Sequence, residues 1–189
     1  MKKFLRKRLL AQRSALGQDL VLEKSDKIAM RLLALPAWSN ARTVMLYVST
    51  RSEVQTRGLL EAAFSQGKRV CLPALENGAM AAGLVHSLQD ISVGKNGFVS
   101  AGKIVSPKEI DLVVVPGVAF DLHGNRLGRG KGFYDAFLNT VGCPRVGVAF
   151  EQQIVSSLPV EPHDERVDKL VTERMVVDCN EGFIPTFGS

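Results

Sequence analysis

The chain has 189 residues, of which 46% are hydrophobic and 23% are charged, and its formal net charge is +5. This composition is typical of an ordinary soluble globular protein, and the length predicts one domain over residues 1–189 with a substantial core. No apolar run approaches the roughly 20 residues that cross a bilayer, and the basic N-terminus lacks the apolar segment of a secretory signal, so we expect neither a membrane protein nor an exported one.

The cysteines also argue for a cytoplasmic protein. They are odd in number and scattered, with no metal-ligand spacing: Cys71, Cys143 and Cys179. We interpret them as reduced thiols. No Ser/His/Asp or Cys/His catalytic set can be argued from the sequence.

The first thirteen residues contain six basic side chains and no acidic one: Lys2, Lys3, Arg6, Lys7, Arg8 and Arg13. Apolar residues at helical spacing accompany them, which predicts an amphipathic helix over residues 2–16 that Gly17 interrupts. Four interpretations remain open: a solvated helix face, nucleic-acid binding, a mitochondrial transit peptide, and contact of Lys2 and Arg6 with a phosphorylated ligand. Nucleic-acid binding has little support, because no aromatic-rich strand motif or helix-turn-helix pattern is present.

The remaining elements follow from periodicity and from turn residues. Helices are predicted from Asp19, as a possible cap, to Pro36, over residues 53–66 and 131–140, and as a brief turn over 151–155. Strands are predicted over residues 43–48, 69–74, 111–115, 145–150 and 171–177, with a loop-rich region or hairpin over 75–106 that includes a possible strand at 84–87. Apolar strands that alternate with helices predict an α/β fold with a mostly parallel central sheet flanked by helices.

In such sheets, ligands bind beyond the carboxyl ends of the strands. Residues 49–53, residues 116–132 and the segment after Phe150 all follow predicted strands. We therefore expect these three stretches to meet at one edge of the sheet.

Residues 116–137, PGVAFDLHGNRLGRGKGFYDAF, contain the strongest functional signal. Glycines at 124, 128, 130 and 132 allow close backbone approach to a ligand, and Arg126, Arg129 and Lys131 stand between them. Backbone N–H groups and cations in such a loop favour a phosphate group. The segment does not match the P-loop pattern, because Gly132 follows Lys131, and it does not match the dinucleotide pattern either. A tight connection without a ligand is the remaining alternative.

Three acidic positions have both a structural and a functional interpretation. Asp135, at the start of a predicted helix, either complements the helix dipole or holds Mg²⁺ beside a polyphosphate. The acidic stretch 163–168 either offers a second carboxylate for the metal or is an exposed loop with local ion pairs. Glu53 either caps the following helix or accepts hydrogen bonds from a polar heterocycle.

The chain resembles the 5-formyltetrahydrofolate cyclo-ligase family, also called the 5,10-methenyltetrahydrofolate synthetases. The matching segments occur in the family's order: KKFLR at 2–6, LYVSTRSEVQT at 46–56, VVVPGVAFDLHGNRLGRGKGFYD at 113–135 and PHDERVDKLV at 162–171. One departure is Phe133, where members commonly have tyrosine, so the ring there can only pack or stack.

This resemblance implies conversion of 5-formyltetrahydrofolate to 5,10-methenyltetrahydrofolate, with ATP as co-substrate, Mg²⁺ as cofactor, and release of ADP and phosphate. It also implies a phosphorylated formyl (imidate) intermediate and a fold like that of the sugar-phosphate isomerases and CoA-transferases. Positioning and charge neutralisation supply most of the catalysis in phosphoryl transfer, which fits the missing nucleophile–base pair. The expected partners are the folate and ATP. We expect no nucleic acid and no membrane as a partner, and we expect a monomer.

The resemblance also implies site residues. The implied ATP contacts are Lys2, Lys3, Arg6, Arg126, Leu127, Gly128, Arg129, Gly130, Lys131, Gly132, Phe133 and Tyr134. The implied substrate contacts are Arg6, Val48, Glu53, Arg129, Gly130, Lys131, Gly132 and Phe133. Arg129 and Lys131 are implied as catalytic, next to the transferring phosphoryl group, and Asp135 and Asp168 as the Mg²⁺ ligands.

Two other classes of function stay open from the sequence alone. A sugar-phosphate isomerase or acyl-CoA transferase of similar architecture would need no ATP. A non-catalytic homologue or basic nucleic-acid-binding module would bind RNA or DNA in a salt-sensitive way without folate turnover.

Overall fold

The computed structural model describes residues 2–94 and 97–181. Its α-helices are α1 (Lys2–Ser14), α2 (Gln18–Leu33), α3 (Pro36–Asn40), α4 (Arg57–Ser65) and α5 (Phe133–Leu138). Its strands are β1 (Thr43–Met45), β2 (Arg69–Glu76), β3 (Ala79–Val85), β4 (Ile104–Val105), β5 (Leu112–Pro116), β6 (Ala119–Asp121), β7 (Arg126–Leu127), β8 (Arg145–Val148), β9 (Ile154–Val155), β10 (Lys169–Val171) and β11 (Val176–Asp178). None of the helices in these two ranges has the length and apolar composition that a bilayer span requires.

The central sheet has eight strands in the order β11-β10-β8-β5-β1-β2-β3-β4. The strands from β10 to β2 are joined by parallel pairings, whereas β11, β3 and β4 are added at the two edges by antiparallel pairings. This arrangement confirms the predicted α/β fold with a mostly parallel sheet. A smaller sheet has the order β7-β6-β9.

Both faces of the central sheet are buried. Val44, Val114 and Val146 point to the face that packs on α2 and α4. Their neighbours Met45 and Val113 point to the opposite face, which packs on α5. Because successive side chains of a strand alternate between faces, a sheet covered on both sides needs continuous apolar strands, and this explains the runs in the sequence.

Helix α1 packs on the smaller sheet rather than on the central one. Leu9 on its apolar face contacts a cluster that includes Ala119 of β6, Leu127 of β7 and Leu158. The basic helix therefore lies directly beside the hairpin that begins the glycine-rich loop.

The regular elements differ from the predicted ones at several boundaries. The predicted strand over 171–177 is wrong as a single strand: Thr172 Oγ1 accepts the backbone N–H groups of Arg174 and Met175, and this turn separates β10 from β11. A hairpin does form, but it begins before residue 75: β2 and β3 are joined by Asn77 and Gly78, with φ of 50° and 80°, and the possible strand at 84–87 overlaps β3 only at residues 84 and 85. Left-handed geometry at both positions is the backbone that a two-residue hairpin turn requires.

The starts of two helices also differ from prediction. Gly17, not Asp19, is the residue that precedes α2 in extended conformation. Helix α4 begins at Arg57 instead of residue 53, because the Glu53 N–H binds the carbonyl of Thr50 in a turn ahead of the helix.

The close approach of β8 to Phe120 gives a test of this packing. A Cβ on Gly147 would lie 2.8 Å from Cε1 of Phe120, whose ring is fully buried. We expect Gly147→Ala to lower the free energy of unfolding by about 1–3 kcal/mol, as overpacking does. Gly142→Ala is the control, since among the described residues no atom beyond its chain neighbours lies within 4 Å of the added Cβ, and it should stay within about 1 kcal/mol of the parent. Urea unfolding measures both, and matching midpoints would contradict the packing.

Candidate active site

A cleft of about 620 Å³ opens at the carboxyl ends of the parallel strands. Stretches that are distant in sequence line it: Lys2 and Arg6 of α1, Val48, Thr50 and Glu53 after β1, residues 116–118 after β5, residues 126–135, and Glu161, His163 and Asp164. The three stretches expected at one edge of the sheet therefore meet here, and α1 adds a fourth.

Asp121 fixes the entry to the glycine-rich loop. Its carboxylate is fully buried and accepts hydrogen bonds from the backbone N–H groups of His123 at 3.0 Å, Asn125 at 3.1 Å and Leu158 at 3.0 Å. The side-chain amide of Asn125 donates a fourth bond at 2.9 Å. A carboxylate satisfied in this way holds the β6–β7 turn and the segment near Leu158 in a fixed relation.

Two glycines of the loop have left-handed backbone geometry, and at one of them there is also no room for a side chain. Gly124 has a φ of 82°, and a Cβ there would lie 2.3 Å from the carbonyl oxygen of Val167. Gly132, with a φ of 69°, occupies the position before α5. Gly124 lets the backbone at Val167, just before β10, approach the β6–β7 hairpin. Gly132 turns the chain into α5, the helix that carries Asp135.

Asp135 lies within a cluster of polar partners. Its Oδ1 accepts hydrogen bonds from Arg126 Nη2 at 2.8 Å and from the backbone N–H of Glu165 at 3.3 Å. Arg126 is almost fully buried, and its guanidinium also lies 5.4 Å from the ring centre of Tyr134. These hydrogen bonds connect the glycine-rich loop, α5 and the acidic segment through the carboxylate of Asp135.

Glu53 is paired with the loop from the other side of the cleft. It is 7% exposed, and its Oε1 lies 2.7 Å from Arg129 Nη2. Its Oε2 accepts the backbone N–H of Thr50 at 2.8 Å. The structure therefore brings together Glu53 and Arg129. The family resemblance implies that Glu53 contacts the folate and that Arg129 lies next to the transferring phosphoryl group.

The N-terminal helix closes the cleft through two cations. Arg6 Nε donates to the carbonyl of Gly128 at 2.7 Å. Lys2 Nζ lies 2.6 Å from Asp164 and 3.1 Å from Glu161. Burial works to lower the pKa of Lys2, but the hydrogen bonds and charges of these two carboxylates outweigh it and hold that pKa above its usual value.

Two of the expected site residues lie elsewhere. Lys3 is exposed on α1 and is not part of the cleft lining. Asp168 precedes β10, at the amino end of a parallel strand, and its carboxylate accepts the backbone N–H of Arg145 at 2.8 Å. The acidic residue that the 163–168 stretch contributes to the cleft is Asp164, which lines it together with Asp135.

The other expected residues line the cleft, including Val48, Lys131 and Tyr134. Phe133 packs against Phe98 edge to face, with ring centroids 5.1 Å apart. The ring that replaces the family's tyrosine thus contributes to an apolar wall next to the phosphate loop.

Sequence reasoning missed Arg13 as a residue of this region. Its side chain is 3% exposed, and Nη1 lies 3.9 Å from Glu53 Oε1 and 3.2 Å from the carbonyl oxygen of Gly117. In the sequence it is one of six basic residues on an amphipathic helix, and only its place on the same face as Leu9 could have marked it as buried.

The three thiols lie outside the site's chemistry. Burial raises the pKa of Cys71 to about 12 and those of Cys143 and Cys179 to about 11. Since the thiolate is the reactive form, none of them is poised as a nucleophile at neutral pH.

Comparison with known proteins agrees with this geometry. The model of the 5-formyltetrahydrofolate cyclo-ligase family matches residues 1–173. The chain is 32% identical over 183 residues to the 5-formyltetrahydrofolate cyclo-ligase of Escherichia coli K12, with 87% of this chain and 96% of that protein covered. It is 30% identical over 192 residues to the mouse 5-formyltetrahydrofolate cyclo-ligase, with 91% and 93% covered.

Solved structures give the same result. The 5,10-methenyltetrahydrofolate synthetase of Aquifex aeolicus superposes with a TM-score of 0.87 at 36% identity, over 97% of this chain and 95% of that one. The synthetase of Mycoplasma pneumoniae, at 24% identity, shares the fold with a TM-score of 0.75 over 91% and 98% of the two chains. With the family model matched over nearly the whole chain and the family's motifs gathered in one cleft, the chain belongs to the 5-formyltetrahydrofolate cyclo-ligase family of enzymes.

Proposed function

We propose that this chain converts 5-formyltetrahydrofolate and ATP into 5,10-methenyltetrahydrofolate, ADP and phosphate, with Mg²⁺ as cofactor. One observation carries the proposal: cations of the glycine-rich loop and a buried carboxylate from the other side of the sheet edge line the same cleft. A phosphate donor and a polar heterocycle can therefore bind side by side, as a phosphoryl transfer between them requires.

Residues 126–134, with Lys2 and Arg6, form the phosphate side. Lys131 is exposed and lines the cleft, and Arg129 has a side chain that is 58% exposed, so both are free to turn to a ligand. The bond from Arg6 to Gly128 holds α1 against the loop. These cations can neutralise the charge that spreads over the phosphoryl oxygens during transfer.

The metal ligands in this proposal differ from those that the resemblance implies, which include Asp168. Mg²⁺ prefers one or two carboxylates together with phosphate oxygens and water. Asp135 and Asp164 fit this preference, since both line the cleft. Ligand atoms of Glu161, His163 and Asp164 also lie within 4.8 Å of one another. In the proposal Asp135 and Asp164 hold Mg²⁺, which when bound neutralises phosphate oxygens, and Lys2 gives up its pairing with Asp164.

The folate side consists of Glu53, Val48 and the wall formed by Phe133 and Phe98. Glu53 is an acceptor that suits the N–H groups of a pterin ring. The apolar side chains suit the faces of its aromatic rings.

The proposed reaction has two steps. The formyl oxygen attacks the γ-phosphorus, and ADP leaves as the imidate phosphate forms. N10 then attacks the formyl carbon and gives up its proton, and the carbon–oxygen bond breaks as phosphate leaves and the ring closes. The protein's part is to orient the two substrates, to exclude water and to stabilise charge at the moving phosphoryl group.

The activity itself is the first test. With 5-formyltetrahydrofolate, ATP and Mg²⁺, we expect methenyltetrahydrofolate to form in a spectrophotometric assay, and omission of ATP or Mg²⁺ should stop it. Arg129→Ala should lower kcat by about 100-fold, the effect of losing one donor to transition-state charge. Its free energy of unfolding should change by less than about 1 kcal/mol, because the side chain is largely exposed.

Arg57→Ala is the matched control, since Arg57 forms an exposed ion pair with Glu61 on α4. Equal kcat values for Arg129→Ala and the parent would reject the role of Arg129. No nucleotide-dependent thermal stabilisation, together with no turnover, would favour a sugar-phosphate isomerase or acyl-CoA transferase instead. Monomeric state, cytoplasmic location and the lack of a nucleic-acid partner stay predictions, and gel filtration with and without RNA tests two of them.

A pair of isosteric variants tests the metal assignment. Asp164→Asn should raise the Mg²⁺ concentration needed for half-maximal activity by about tenfold or more, a common loss when a partner of a metal site is removed. Asp168→Asn should leave that concentration unchanged and should lower the free energy of unfolding by about 1 kcal/mol, because it weakens the bond to the Arg145 N–H. The reverse pattern would restore Asp168 as the ligand.

A further inference from the structure

Arg13 is buried by the fold, although a helix that is merely basic needs only cations that face the solvent. Its side chain is 3% exposed, and within the described residues its Nε has no hydrogen-bond partner. Burial lowers the pKa of Arg13, while the charge of Glu53 works to raise it. A buried guanidinium is unfavourable unless a partner compensates it, and the carboxylate within reach is Glu53.

Glu53 stands between two guanidinium groups of different mobility. Oε1 lies 2.7 Å from Arg129, whose side chain is 58% exposed, and 3.9 Å from the buried Arg13. Arg129 belongs to the glycine-rich loop, whereas Arg13 is held in a helix that packs on the smaller sheet. One cation can therefore move away from Glu53 and the other cannot.

Arg13 also connects two of the loops that form the cleft. The same Nη1 that faces Glu53, in the loop after β1, donates to the carbonyl of Gly117, in the loop after β5. Gln153 Nε2 donates to that carbonyl too, at 3.0 Å. Arg13 does not line the cleft itself, so it acts on a substrate through the lining residues that it contacts, Glu53 and Gly117.

We propose that Arg13 is a positioning residue for the folate side of the site: it keeps Glu53 paired with a cation and oriented towards the cleft when Arg129 turns to the triphosphate. This inference rests on the proposed function, which gives Arg129 to the phosphate and Glu53 to the folate. Without Arg13, the departure of Arg129 would leave a buried carboxylate with no counter-charge, which is strongly unfavourable. With Arg13, Glu53 stays a fixed acceptor in both states.

The test is a double-mutant cycle between Arg13→Met and Glu53→Gln, with kcat and the KM values for 5-formyltetrahydrofolate and ATP measured for each protein. We expect Arg13→Met to raise the folate KM by roughly tenfold, the worth of a hydrogen bond to a charged group. The ATP KM should change by less than about twofold. In the double variant the folate KM should equal that of Glu53→Gln alone, because Arg13 acts through the charge that Glu53→Gln removes.

Arg8→Met is the matched control, since Arg8 lies exposed on the same helix, and it should match the parent in every measurement. Arg13→Lys keeps the charge and should recover part of the folate affinity lost in Arg13→Met. If Arg13→Met does not fold, Arg13→Gln takes its place in the cycle, because it also removes the charge.

The results separate this inference from the proposed function. A folate KM of Arg13→Met equal to that of the parent overturns the role of Arg13 but leaves the proposed function intact. The same holds if the effects of Arg13→Met and Glu53→Gln on the folate KM simply multiply in the double variant. It also holds for a fall in melting temperature and kcat with both KM values unchanged, which is what a purely structural residue would give. A parental folate KM in Glu53→Gln overturns the folate contact itself, and the inference with it.

Discussion

Asp121 is fully buried, and its carboxylate accepts four hydrogen bonds that add to the pairing of β6 with β9 in joining two parts of the chain. The β6–β7 turn is folded around it, and the segment that leads to the acidic stretch is attached to it through Leu158. The glycine-rich loop begins at β7, and the acidic stretch begins a few residues after Leu158. The proposed phosphate side and the proposed metal side of the site are therefore joined through one buried carboxylate as well as through the pairing of β6 with β9.

Three ion pairs join charged groups that line the cleft. Lys2 pairs with Asp164, Arg126 with Asp135, and Arg129 with Glu53. Each pair joins an element of one side of the site to an element of another, so the pairs hold the cleft in shape without a ligand. Binding of a triphosphate and a metal would exchange partners within this network rather than introduce charge into an apolar pocket, which lowers the desolvation penalty of binding. The buried Arg13 and Arg126 belong to the network's fixed part, and the exposed Arg129 to its movable part.

Much of the fold and part of the site could be predicted from local pattern. Continuous apolar strands indicated a sheet buried on both faces, and the glycines and cations of residues 116–135 indicated a phosphate site at its edge. The strand boundaries at 171–177 could not be predicted, because a turn made by a threonine hydroxyl leaves little trace in hydrophobic periodicity. The departure at Phe133 was visible in the sequence, but its packing on Phe98 depends on a segment with no matching motif.

The sequence by itself determined the class of fold, the glycine-rich loop and the family, because these depend on periodicity and on contiguous motifs. Tertiary structure alone decided which acid faces the cleft and which cation is buried. Asp164 and Asp168 stand four residues apart in irregular chain, yet one lies in the cleft while the other precedes β10 at the amino end of a parallel strand. Arg13 and Arg8 look alike in a basic helix, and only the packing of α1 on the smaller sheet buries the first and exposes the second. Burial and contact over long sequence separations have no local signal, so the residues that complete this site could be identified only in the folded chain.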